Sequence, residues 1–438
     1  MSDYMFVLES HLDAAQNRVV NEMQRIATEA GMSVWLTGGA MRDTLRGARI
    51  VDLDFTVERD AIKLAKALAK ACGGEVLSED GLKRSAELDL TGGVRASVSN
   101  ARAEKYSKPG GKPQITPASI HEDLMRRDFT INAMALSLNR GSRGLLIDPA
   151  NGQADLANRE LRTTNSYALF DDPARLFRLI RFQHTLGFQI APRTQSQIEN
   201  ALEGEYQKAA SPAALANEIK ALADSENAQQ ALEAFDGLGL LKMLSPAFTG
   251  EKLNGPGITR FERIAHSVIP PGSSGGILAF LHVMTEKLSA KESADLIRQF
   301  DLTRKESDSF KKLEASARKL ESALKAARIT KPSHVYEIMS EAPMDDVLMV
   351  LYESQQRVVQ DRIRAYYGKY LPLAQEVTEE QVGAATGLKP GTPKFAKAFR
   401  DAIITHVNAR PKKIPPPEPE PAPVAAGPGG RGMARKQA

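Results

Sequence analysis

The chain has 438 residues, 42% hydrophobic and 26% charged, an ordinary composition for globular protein and enough length for roughly two to four domains. Its single cysteine, Cys72, excludes a disulfide framework and a thiolate metal site and points to a reducing, cytoplasmic setting. The net charge of +4 sits in residues 410–438, which hold six basic and two acidic side chains; the rest balances at 52 of each sign, so a surface for nucleic acid has to be local.

No basic stretch followed by a long apolar core opens the chain, so no signal peptide is expected. No apolar run approaches the roughly 18 residues of a membrane span. Residues 7–31 predict an amphipathic helix, with Leu8, Leu12, Val19, Met23 and Ile26 near one face. A short strand, 33–36, runs into the glycine turn Gly38-Gly39, and 42–46 continue as helix. The run 51–57 is the next strand and carries Asp52 and Asp54. Residues i and i+2 of a strand share a face, so both carboxylates project together while Leu53 and Phe55 face the other way. Paired hard oxygens at that spacing suit Mg²⁺, which keeps few protein ligands and completes its shell with phosphate and water. The Gly-Gly turn lets backbone N–H groups approach a triphosphate. The combination reads as a phosphoryl-transfer site; a merely polar sheet face is the alternative.

A helix over 61–72 ends at Gly73-Gly74. Strands follow at 86–90, 95–101, 134–138 and 145–147, giving a mixed sheet over roughly the first 150 residues. Between them, Arg102-Ala-Glu-Lys-Tyr-Ser-Lys-Pro-Gly-Gly reads as a strand leaving the sheet into a loop. The cluster Arg126, Arg127, Asp128 and Asn132 pairs phosphate-binding guanidiniums with two polar groups four residues apart, close enough to share a helical face. These two either hydrogen-bond a ribose or fix the arginines.

After Asp148-Pro149 helical periodicity dominates to about residue 409, with breaks near 211–212, 245–246, 270–276, 331–332 and 387–393. The helix expected at Asp171-Asp-Pro-Ala-Arg places Arg175, Arg178 and Arg181 on one arc bordered by Asp172. A carboxylate acceptor beside guanidinium donors can read a base edge; a solvated basic stripe is the competing reading. Residues 410–438 hold eight of the 24 prolines and are expected to be disordered and dispensable for folding. His266, His282, His334 and His406 stand isolated, with no His-Asp phosphohydrolase pattern.

Together, Gly38-Gly39-x-x-Arg42-Asp43, Asp52-x-Asp54, Glu104-x-Tyr106-x-x-Pro109-Gly110, Arg126-Arg127-Asp128-x-x-x-Asn132, Asp148-Pro149 and Asp172-Pro-x-Arg175-x-x-Arg178-x-x-Arg181-Phe182 resemble the bacterial tRNA nucleotidyltransferase/poly(A) polymerase family. These are the class II CCA-adding enzymes of the polymerase-β-like superfamily. The resemblance spans about residues 20–250 and beyond that is one of helical character only. It implies an α+β fold: a catalytic head over 1–148, a neck with the base-reading helix over 149–210, a helical body over 211–300, a tRNA-binding tail over 301–409, and the tail segment 410–438. It implies addition of C and A to the tRNA 3′ end from CTP and ATP without a nucleic-acid template, with Asp52 and Asp54 holding Mg²⁺. Gly38, Gly39, Arg42 and Asp43 would serve the triphosphate, and Arg127, Asp128 and Asn132 the sugar and phosphate. Asp172 and Arg175 would read the base, supported by Arg178 and Arg181. No membrane and no obligate protein partner is expected. Two departures stand out: Asp171 replaces the usual Glu, and residues 83–93 lack the Gly-Thr pair of many relatives, which leaves the C-to-A switching loop unplaced. Close rivals are CC-only, A-only and poly(A) addition. A non-catalytic RNA-binding protein on the same fold is a rival of another class, opposed by intact Asp52, Asp54 and Arg42.

Overall fold

The computed structural model describes residues 4–409 apart from 271, 272 and 274. The expectation for 410–438 therefore lies outside the described residues.

Two helices open the chain, α1 (Tyr4–His11) and α2 (Ala14–Glu29). The single helix expected over 7–31 is broken because Asp13 caps α2: its side chain accepts from Gln16 N–H while the Gln16 side chain reaches back to Asp13 N–H. Then come β1 (Val34–Thr37), α3 (Gly39–Arg46), β2 (Asp52–Val57), α4 (Ala61–Cys72), β3 (Glu75–Asp80), β4 (Ser85–Leu90), β5 (Val94–Asn100), β6 (Arg102–Lys105), β7 (Gln114–Pro117), α5 (Ile120–Met125), β8 (Ala135–Ser137) and β9 (Leu146–Ile147). Seven strands form one sheet in the order β3-β4-β5-β2-β1-β8-β9, antiparallel except where β2 runs parallel to β5. The strand expected to leave the sheet does so: β6 follows β5, stands outside the seven-stranded sheet and pairs with β7 as a separate two-stranded hairpin.

The sheet's two faces differ in chemistry. Leu36, Leu53, Phe55, Val57, Ala86, Leu88, Ala96 and Val98 are buried on the face covered by α2 and α4. Each such large apolar side chain contributes roughly 1.5–3 kcal/mol. The other face carries Thr37, Asp54, Ser97 and Glu87 as one cross-strand row, with Asp52, Arg95 and Asp89 as the next. At the far end of this polar face, Trp35 is buried in a small cluster with Ile120 and Leu124 of α5 and with Ala133 and Ala135. The remainder of the face stays open.

After β9, Asp148 accepts from Gly152 and Gln153 N–H at 2.7 and 2.9 Å, starting α6 (Gly152–Asn158). Next are α7 (Ala168–Asp171), α8 (Ala174–Thr185), α9 (Pro192–Glu203), α10 (Pro212–Lys220) and α11 (Ala228–Gly237), with α8 packed against α10 and α11. A two-residue parallel pairing, 160–161 with 189–190, interrupts the helices. Helices then continue to Asn408. None of the described helices is long and apolar enough to cross a membrane.

Candidate active site

A cleft of about 780 Å³ lies on the open polar face, between the sheet, the β6–β7 loop and the first turns of α8. It is lined by Gly38, Gly39, Arg42, Asp54, Arg127, Asp128, Asn132, Asp172, Arg175, Arg178 and Arg181. Two expected site residues lie outside its lining. Asp52 stands at the exposed start of β2, and Asp43 sits behind Arg42.

Each polar group is held from behind. Gly38 adopts φ +69°, and a Cβ there would lie 3.1 Å from Arg127 Nη1 and 3.3 Å from Asp54 Oδ2, so only glycine suits both the turn and the close approach. Arg42 donates from Nε and Nη2 to the Asp43 carboxylate at 2.9 and 2.8 Å and from Nη1 to Asn132 Oδ1 at 2.9 Å. Asp54 Oδ1 accepts from Ser97 Oγ at 2.7 Å. Asp52 stands at the exposed start of β2, yet partial burial of its carboxyl, then the charge of Asp54, pushes its pKa upward, and Arg95 opposes the shift. Arg127 is anchored to Asp123 at 3.0 Å and to the Thr37 and Thr56 hydroxyls at 3.1 Å each. Asp123 is itself buried; burial pushes its carboxyl upward, but Arg127 and Arg126 outweigh that and hold it low.

Asp128 and Asn132 do not share a helix: α5 ends at Met125, and a 3₁₀ turn covers Thr130–Asn132. They still meet, Asn132 Nδ2 donating to Asp128 Oδ1 at 3.1 Å. Burial pushes the Asp128 carboxyl up, but Arg178 at 2.7 Å, with Arg175 and Asn132, holds it down at about 2. Of the two functions open to this pair, fixing arginines is the one with a visible contact.

Asp171 and Asp172 precede α8 rather than forming its first turn, and Asp172 Oδ1 accepts from Ala174 N–H at 3.1 Å. The Asp172 side chain is 43% exposed to the cleft, whereas Arg175 is only 7% exposed. Arg175 spends its Nη donors on the carbonyls of Arg126, Arg127 and Ala168, the shortest at 2.8 Å, and turns its Nε toward Asp172 at 3.8 Å. Arg178 and Arg181 both reach Glu218 of α10, at 3.1 and 2.7 Å.

Several contributors have no motif signal. Glu87 and Ser97 extend the Asp54 row across two strands; their register was the only available signal, since residues opposite one another share a face. Glu218 lies in an unremarkable helix and is found only through its long-range partners. Glu104, by contrast, belongs to the Glu104-x-Tyr106 motif; bonded by Arg102 and Tyr106 at 2.8 Å each, it forms the cleft's side wall.

The donor set on the open face consists of hard oxygens. Among the described residues no group of three or more His, Cys, Asp or Glu side chains is gathered as a metal cage. An ion there would take the Asp52 and Asp54 carboxylates and draw its other ligands from phosphate and water, a pattern that suits Mg²⁺.

Residues 34–162 match the poly A polymerase head domain. The chain is 32% identical over 244 residues to an A-adding tRNA nucleotidyltransferase of Geobacter sulfurreducens, covering 56% of this chain and 28% of that protein. It is 36% identical over 204 residues to a CC-adding tRNA nucleotidyltransferase of Deinococcus radiodurans, covering 47% and 53% respectively. The chain thus spans from about a quarter to about half the length of these curated relatives. The fold is similar to that of a solved CCA-adding enzyme in an apo form, with TM-score 0.54 and 23% identity over 93% of this chain and 96% of that one. In its head-domain match and its relatives the chain is similar to the tRNA nucleotidyltransferase/poly(A) polymerase family, and its fold is similar to that of the solved CCA-adding enzymes.

Proposed function

We propose that the chain adds C and A residues to the 3′ end of tRNA from CTP and ATP without a nucleic-acid template. The observation that carries the reading is the convergence in one cleft of the Asp54 strand, the Gly38 turn, Arg42, Arg127 and the exposed Asp172 carboxylate. In the reaction, the primer's 3′-oxygen forms a bond to the α-phosphorus of the nucleotide while the bond to the β-phosphate oxygen breaks and pyrophosphate leaves. Asp52 and Asp54 would hold Mg²⁺, which would supply Lewis-acid stabilisation of the charge that develops on the phosphoryl oxygens.

The chain's own groups bind and orient. Ser97 fixes the rotamer of Asp54. The Gly38 turn and the start of α3 offer backbone N–H groups to phosphate. Arg42 and Arg127 are pre-organised by carboxylates behind them, so their remaining N–H edges face the cleft without reorganisation. Asp172 accepts from the exocyclic amino group of cytosine or adenine and meets the carbonyl of uracil or guanine acceptor to acceptor. Arg175 donates from its Nε edge while its Nη donors hold the loop that carries Arg126 and Arg127.

A-only addition is the second reading, favoured because four relatives at 32–36% identity are A-adding tRNA nucleotidyltransferases. Purified protein is incubated with tRNA lacking its last three nucleotides and with tRNA ending in CC, each with CTP, ATP or both. Extension of the first substrate to full length supports the leading reading, and extension of the second alone supports A-only addition. Runs of A beyond the 3′ end indicate poly(A) synthesis, and no extension leaves RNA binding alone.

A further inference from the structure

Phe182, in the third turn of α8, is 6% exposed and lines the cleft. Two guanidiniums stand over its ring, Arg42 at 5.1 Å and Arg181 at 4.5 Å from the centroid. The edge of Phe129 supports it from the core at 5.9 Å. The two arginines come from different parts of the fold: Arg42 from α3 beside the glycine turn, Arg181 from α8. Both already have carboxylate partners, Asp43 and Glu218 respectively. The ring is therefore not needed to neutralise them. It can place them, because an aromatic face bears negative quadrupolar charge and attracts a cation at this range.

We propose that Phe182 is a positioning residue for the nucleotide's triphosphate: its ring seats the Arg42 guanidinium and sets its spacing from the arginine row of α8. The proposal rests on the reading of the cleft as a nucleoside triphosphate site. It adds that the separation between the phosphate-facing and base-facing ends of the cleft is fixed by one aromatic ring shared by α3 and α8. The electron density of the ring carries this role, whereas a purely structural residue would depend on volume.

The test replaces Phe182 with pentafluorophenylalanine, which nearly keeps the shape and reverses the quadrupole, and compares it with Phe182→Tyr and Phe182→Leu in the full chain. The probe is inorganic tripolyphosphate, titrated by calorimetry, alongside KM and kcat for ATP and CTP. The fluorinated and Leu variants are expected to bind tripolyphosphate about tenfold more weakly and to raise KM for both nucleotides alike, with Tyr within about twofold of wild type. The fluorinated variant is expected to keep its melting temperature. Fluorinated protein that binds as wild type does, while Leu weakens, assigns the ring to packing alone and overturns the proposal. If Leu fails to fold, the fluorinated and Tyr pair still decides. Ring-dependent tripolyphosphate binding in a protein that extends no RNA upholds the positioning and rejects the proposed reaction; RNA extension with no ring dependence does the reverse.

Discussion

Asp52 and Asp54 share a face but not an environment. Ser97 hydrogen-bonds Asp54, whereas the pKa of Asp52 is pushed up by partial burial and by its neighbour's charge. Asp54→Ala is expected to lower nucleotide addition by about 10³-fold or more, because metal clamping is worth several kcal/mol in the transition state. Its melting temperature and its affinity for tRNA should barely move; activity within tenfold of wild type would sink the assignment. The raised pKa of Asp52 gives a sign for pH dependence. If Asp52 holds the proposed cation, its carboxylate must be ionised to do so, so the metal-free protein's affinity for that cation falls as pH drops through the raised pKa of Asp52. Titrating metal affinity against pH checks the sign: loss of affinity only within the ordinary aspartate range would speak against it. Asp128 works the opposite way and through stability. Its folded pKa of about 2 lies below the ordinary 3.8, so the stabilisation is present above pH 3.8 and is lost as pH falls toward 2. The size is on the order of 2 kcal/mol. Asp128→Asn should flatten that part of an acid-unfolding curve; a wild-type-like acid transition in the variant speaks against the Arg178 pairing.

The elements show where sequence is readable. The helix at Ala61–Cys72 was legible to the residue because its apolar period runs unbroken until Gly73 adopts a left-handed cap. The Asp-x-Asp strand was legible within a residue because alternation is strict. The strand at Glu75–Asp80 carries no sequence signal: it lies at the sheet edge, has no buried residue and offers no alternation to read. The turn between Arg126 and Asn132 differs from the helical face that the spacing predicts, because four-residue spacing also suits a loop whose two ends are bridged by side chains. Within the cleft, local patterns announced the groups that face solvent. They could not announce Ser97, Glu87, Asp123 or Glu218, whose positions depend on strand register or on helices far apart in the chain. At this scale the glycine turn makes a firm prediction. Gly38→Ala adds a Cβ within contact of Arg127 and Asp54 and strains a positive φ. It should cost more than tenfold in kcat while leaving most of the melting temperature, and kinetics with saturating nucleotide would show it. For α8, Asp172→Ala should relax selection against UTP and GTP by roughly 10–100-fold, the worth of one unpaired polar contact of about 1–3 kcal/mol. An equal loss for all four nucleotides would make Asp172 a helix-start cap only.

Across the whole molecule, the head and the helices beyond it are tied by charge. Arg178 bridges Asp128 of the head and Glu218 of α10, and Lys220 on the same helix donates to Phe300 O, 80 residues further along. Glu218 is buried, so removing it leaves Arg181 without its carboxylate and Arg178 with only one. Breaking a buried pair in this way costs about 3 kcal/mol. Glu218→Ala should therefore lower the melting temperature clearly and weaken nucleotide binding with it, while Glu218→Gln, which keeps one acceptor, should lose less. Unchanged stability in the Ala variant would show that the tie is incidental.

Trp35 is the only tryptophan in the chain, and it is buried against α5, the helix whose Asp123 holds Arg127. The molecule thus carries its own optical reporter beside the cleft. Because no other indole contributes, the emission of the intact protein describes one site, and a shift in wavelength or lifetime on adding nucleotide reads directly whether α5 stays seated on the sheet as the arginines engage.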